Sequence, residues 1–140
     1  MIDREHVIPK RNYRRLAYAT GNISVCCKRC NMQFKGERLG FVRDKTTIEA
    51  NYMNGDEYLF IHPNYDCWFS HMARIALQIN DALFVFYKFS TNDAKAVFTY
   101  DFFALNELEV ESFNNAQGCK LPPAKLQDLR QRLSDLVLLI

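Results

Sequence analysis

Residues 4–37, REHVIPKRNYRRLAYATGNISVCCKRCNMQFKGE, confine the start of this 140-residue chain to short elements. Pro9 closes the mixed segment Ile2–Ile8, which reads as a strand leading into a loop, because proline cannot donate to a ladder. The basic, aromatic run 10–21 ends on Gly21, and the β-branched NISVC that follows predicts a second short strand. Asn31 is a good N-cap, but Gly36 and Gly40 keep any helix that it starts short. A hairpin-like pair with a long loop, then a short helix, is the expected result.

The same stretch concentrates the chemistry. His6 has an ordinary pKa near neutrality and can take a proton from water, and Glu5 beside it can hold a divalent cation. On a strand, neighbouring side chains point to opposite faces, so both serve one site only if the chain turns near Pro9. Asn22 and Asn31 add amide oxygens, hard ligands for Mg²⁺ or Mn²⁺ that can also tie down a loop by bonding its backbone. Cys27 and Cys30 form a C-x-x-C directly ahead of Asn31.

Charge follows this segment. Residues 4–45 carry eleven basic and three acidic side chains, a local net of +8 in a chain whose total is only +2. Arg11, Arg14 and Arg15, interleaved with Tyr13 and Tyr18, form either a solvated basic loop or a grip on a nucleic-acid backbone. No helix or zinc-finger module for reading bases is visible.

One domain over 1–140 is expected, since this length buries one core. A strand is predicted at 57–63, closed by Pro63, and an amphipathic helix at 66–80 from Trp68, Met72, Ile75 and Ile79. Segments 82–89 and 96–102 read as an antiparallel hairpin, with helices near 105–115 and 123–139. The last carries Leu126, Leu129, Leu133, Leu136 and Ile140, which serve either a packed core face or a subunit contact, hence a homo-oligomer. His62 and His71 read as hydrogen-bonded, partly buried histidines outside the active site. No apolar run is long enough to span a membrane and no signal peptide opens the chain, so a soluble, cytoplasmic protein without membrane attachment is expected.

Taken together, EHVIP, NISVC, CKRCN and NMQFKG resemble the HNH endonucleases, whose ββα-metal (His-Me finger) motif runs acidic-His, a proline, a middle Asn, and C-x-x-C-[NH] with a lysine on the helix. LFIHPNYDCWFSHM and KAVFTYDFFALNELEVE further resemble segments of the retron-associated and Septu-type antiphage HNH nucleases. The resemblance implies an α+β fold with a ββα-metal core over 1–45, and a supporting hairpin and helices over 46–140. It implies a hydrolase cutting DNA phosphodiesters with one Mg²⁺ or Mn²⁺, as the nuclease of an antiviral defence system working with an ATPase partner. In that scheme His6 is the general base, Glu5 and Asn31 hold the metal, Asn22 orients the loop carrying His6, and Lys35 neutralises a phosphate alongside Lys10, Arg11, Arg14 and Arg15.

Relatives carry a further C-x-x-C upstream, completing a zinc knuckle, and Glu5 stands where many have Asp. Cys27 and Cys30 supply half of a tetrahedral zinc shell. Either zinc is absent, or Cys26, Cys67, Cys119 or a histidine completes it, or ligands come from another chain. A thioredoxin-like redox centre is disfavoured, because no βαβ unit precedes the cysteines. The competing function is a non-catalytic nucleic-acid-binding or regulatory subunit of the same fold.

Overall fold

The computed structural model describes residues 2–79, 82–111 and 131. The class is α+β, built from small antiparallel sheets and short helices. Strand β1, Ile2–His6, pairs with β2, Ile23–Cys27, in a register that sets Glu5 opposite Ser24 and His6 opposite Ile23. The loop between them contains a 3₁₀ turn, Arg14–Tyr18, that buries Leu16. After β2 the chain enters a π-helical turn, Arg29–Lys35. Its closing bond runs from the Gly36 N–H to the Asn31 carbonyl at 2.6 Å, and Gly36 leaves the turn at φ 50°, a conformation that favours glycine.

The chain forms two compact units. The first comprises residues up to Ala73 together with Phe89–Asn106. Its core gathers Val7, Ile8, Leu16, Phe41, Val42, Ile48, Tyr58 and Phe60, drawn from the β1–β2 loop, the short helix α1 at Ile48–Asn51 and the segment around residue 58. Phe41 and Phe60 sit with ring centroids 4.6 Å apart, and Phe102 meets Phe41 edge-on at 5.9 Å. The aromatic-rich composition is spent on this cluster, where each ring removes a large apolar area from water. The second unit contains Arg74–Lys88 and the described residues from Glu107 onward. Strands β3, Met72–Ile79, β4, Ala82–Phe89, and β5, Val110–Glu111, form one sheet in that order, with Phe84 opposite Glu111.

Several expected elements take another form. Residues 57–63 make a single bridge, Val42 to Tyr58, rather than a strand. Side chains take over the N–H groups that a ladder would use: Ile61 N–H donates to Thr99 Oγ1 at 2.8 Å and His62 N–H to Asp66 Oδ2 at 2.7 Å. The helix expected at 66–80 is a short helix α2, Trp68–His71, followed by β3. Met72, Ile75 and Ile79 satisfy a helical period, but Ala73, Ile75 and Leu77 are half-buried while Arg74, Ala76 and Gln78 are exposed, the period of a strand.

Segment 96–102, expected as the hairpin partner of 82–89, lies in helix α3, Ala94–Phe102. Asp93 caps it by accepting the Ala96 N–H, a start signal that outweighs the β propensity of Val97 and Thr99. The described part of the helix expected near 105–115 is a 3₁₀ turn, Leu105–Leu108, and then β5. Ala104, at φ 45°, turns the chain away from α3 first. Residues 112–130 and 132–140, and with them Cys119 and the leucine stripe of the helix expected at 123–139, lie outside the described residues.

His62 is fully buried, its ring 4.3 Å from Tyr58 and 4.6 Å from Tyr65. Its Nδ1 accepts the Asn64 N–H at 3.1 Å, so the neutral ring carries its proton on Nε2. Burial, with a smaller push from Lys95 and against Asp66, lowers its pKa from 6.5 to about 4. The unfolded chain therefore binds a proton that the folded chain refuses between these values. Stability from this group is complete above pH 6.5 and falls by on the order of 3 kcal/mol as pH drops through 4. Titration of the His62 ring by NMR checks this, and an ordinary pKa near 6.5 rejects it.

Candidate functional site

The β1–β2 pair sorts its side chains by alternation. Arg4 and His6 share one face with Val25, whereas Asp3 and Glu5 share the other with Ser24 and Cys26. Beyond His6 the strand bends into Val7 and Ile8, both buried, and Asn22 holds that bend. The Asn22 side chain accepts the Ile8 N–H at 2.7 Å and donates to the Ile8 carbonyl at 3.0 Å and the Leu16 carbonyl at 3.1 Å. It is 1% exposed, so every one of these bonds is shielded from water. Asn22→Ala strands these groups in the core and is expected to cost about 3 kcal/mol, because each unsatisfied buried group costs ~1–3 kcal/mol. Chemical denaturation measures this; a loss under ~1 kcal/mol, the worth of one ordinary bond, would show that the clamp is dispensable.

His6 is fixed by a bond from Nε2 to the Ala17 carbonyl at 2.8 Å. A carbonyl only accepts, so Nε2 carries a proton, and in the neutral ring the lone pair is then on Nδ1. Arg4, Glu5, His6, Lys10, Arg11, Asn31 and Lys35 line one open cleft of about 220 Å³. The bend after His6 thus brings residues from both strand faces to a common space. Arg14 and Arg15 are exposed on the 3₁₀ turn and do not line this cleft, while Arg11 pairs with Glu37 at 2.8 Å. Arg4 does line it, exposed on the same strand face as His6; its position two residues before His6 was the available sequence signal.

Lys35 is 3% exposed. Its ammonium lies 3.4 Å from Glu5 Oε2 and donates to the Gly36 carbonyl at 3.0 Å, so its nearest anion belongs to the protein itself. Burial pushes the Glu5 carboxyl above its ordinary range against the pull of Lys35, and the Cys26 thiol hydrogen-bonds the same carboxylate. Burial and Glu5 together push the Cys26 thiol up to about 12.

The donor set suits a hard cation. Glu5 Oε2 is buried without a hydrogen bond, and Asn31 gives its amide nitrogen to Asp3 Oδ2 at 3.4 Å, leaving its oxygen available. Mg²⁺ is commonly held by one or two protein oxygens with water and substrate phosphate filling its shell. Cys27 and Cys30 supply two thiols of the four ligands that structural zinc takes. Among the described residues no group of three or more His, Cys, Asp and Glu is gathered to hold a metal ion.

The turn carrying Asn31 is anchored by Arg29, whose guanidinium donates to the Phe103 carbonyl at 2.7 Å and the Ala104 carbonyl at 2.9 Å and lies 4.2 Å from the centre of the Phe34 ring. Arg29 was not singled out from the sequence, because its partners are 74 and 75 residues away. His71 bonds Asp93 at 2.8 Å, and neither His62 nor His71 lines the cleft. Among the described residues, no helix is long and apolar enough to cross a membrane. Comparison with protein-family models, with curated proteins and with solved structures finds no match.

Proposed function

We propose that this chain is a metal-dependent nuclease of the HNH type that hydrolyses DNA phosphodiester bonds. The observation that carries the reading is His6, on the strand end that Asn22 clamps, facing the same cleft as Glu5, Asn31 and the exposed cations Arg4, Lys10 and Arg11. The order strand, strand, helical turn across residues 2–35 supports a ββα-metal arrangement.

In this reading Arg4, Lys10 and Arg11 draw the phosphate backbone to the cleft by charge. His6 Nδ1 takes a proton from water, which attacks phosphorus as the bond to the leaving oxygen breaks. A divalent ion on Glu5 and Asn31 would supply Lewis-acid stabilisation of the charge on the phosphoryl and leaving oxygens. The role in antiviral defence beside an ATPase partner belongs to the same proposal and rests on the sequence resemblance.

One observation favours a second reading, a non-cleaving nucleic-acid-binding or regulatory subunit: Lys35 already compensates Glu5, the carboxylate on which a metal would depend. Plasmid cleavage in Mg²⁺ or Mn²⁺, against a chelator control and His6→Ala, separates the two. Metal-dependent nicking by the wild type alone supports the nuclease. Equal cleavage by both, or none from either with the partner present, rejects it.

A further inference from the structure

We propose that Cys27 and Cys30 form a reversible dithiol site that reacts with hydroperoxides, Cys27 as the attacking sulfur and Cys30 as the resolving one. The inference stands on the placement of the two thiols and is independent of nuclease activity.

Cys27 ends β2 and is exposed, while Cys30 lies half-buried in the first turn of the π-helical segment. The Cys30 N–H donates to Cys27 Sγ at 3.4 Å, and the two thiols also hydrogen-bond each other. Sulfurs already in contact need only a small approach to reach the ~2.05 Å of a disulfide. The adjacent Cys26 is no rival, since strand alternation turns it to the opposite face, where it bonds Glu5. Access sets the order: Cys27 is exposed and Cys30 is half-buried behind it, so Cys27 is the sulfur that a peroxide meets first.

With hydrogen peroxide, the Cys27 sulfur attacks one oxygen, the O–O bond breaks, and the other oxygen leaves as water with the thiol proton. Cys27 is then a sulfenic acid. The Cys30 sulfur attacks it, the S–O bond breaks, and the hydroxyl leaves as a second water with the Cys30 proton. Two thiols have lost two electrons and two protons to the peroxide. The bridge ties the end of β2 to the first turn of the element that carries Asn31, and a small dithiol reverses it by exchange.

The full chain is treated with hydrogen peroxide, blocked with N-ethylmaleimide and digested with trypsin, which cuts after Lys28 and Arg29 and so places the two cysteines on separate peptides, 16–28 and 30–35. A linked pair of these peptides, split by dithiothreitol, is expected in the wild type and in Cys26→Ser, and is lost in Cys27→Ser and Cys30→Ser. In Cys30→Ser, Cys27 should instead collect as sulfenic and sulfinic acid. Exposed Cys67 reports what simple exposure does. Three results would overturn the proposal: oxidation of Cys67 with no linked pair, a linked pair that persists in Cys30→Ser, or stoichiometric zinc shielding both thiols from peroxide.

Discussion

His6→Ala is expected to slow plasmid cleavage by about 10²–10⁴-fold, the usual contribution of a positioned general base. The deficit should appear in the rate at saturating DNA, since the cations that attract the backbone, Arg4, Lys10 and Arg11, are untouched. Folding should change little, because the side chain makes one hydrogen bond, to the Ala17 carbonyl, worth ~1 kcal/mol. His6→Gln separates chemistry from architecture. A glutamine amide can restore a donor toward Ala17 but has no basic nitrogen to take the water proton. Recovery of stability without recovery of cleavage is the expected outcome. Full cleavage by His6→Gln would reduce His6 to a structural residue and sink the mechanism.

Lys35→Met should be the most damaging stability change, at about 3–5 kcal/mol, because removing one partner leaves the other as an uncompensated buried charge. Met conserves the length and apolar stem of the lysine, so the cost falls on Glu5, whose Oε2 already lacks a hydrogen bond. Adding Glu5→Gln should recover a large part of the loss, and a double-mutant cycle measures the coupling. The pH dependence provides a second readout. The folded pKa of Glu5 is raised above its ordinary 4.5, so between the two values the folded chain binds more protons than the unfolded one. Stability from this group is therefore greatest below 4.5 and is lost as pH rises through the raised value. Without Lys35 the folded value rises further, and the deficit of the variant should shrink as the buffer is acidified. A deficit that is equal across this window would show that the ion pair is not its cause.

These two side chains mark a boundary in what could be read from the chain. The strands 2–6 and 23–27 follow from local signals: a proline stop, a glycine turn and β-branched residues, all acting within a few positions. Strand 82–89 was legible for the same reason, but its partner was not. Residues 96–102 carry strand-like side chains and yet form a helix, because Asp93 satisfies the first free N–H groups. Residues 72–79 fit both periods over one short window, and only pairing within the sheet decides between them.

For the site, the sequence alone determined the identities and order of Glu5, His6, Asn22, Asn31, Cys27 and Cys30, and hence which chemistries are open to the chain. Side-chain types and strand alternation need no tertiary information. What the tertiary structure alone decided is how those groups are used. It bends the chain after His6 and clamps the bend with Asn22, bringing opposite strand faces to one cleft. It turns Lys35 inward to Glu5, reads Arg4 into the cleft wall, and sets Cys27 against Cys30. Each of these depends on burial and on contacts between segments distant in sequence, where the loss of water makes a few ångströms decide whether a charge meets a substrate or its own protein.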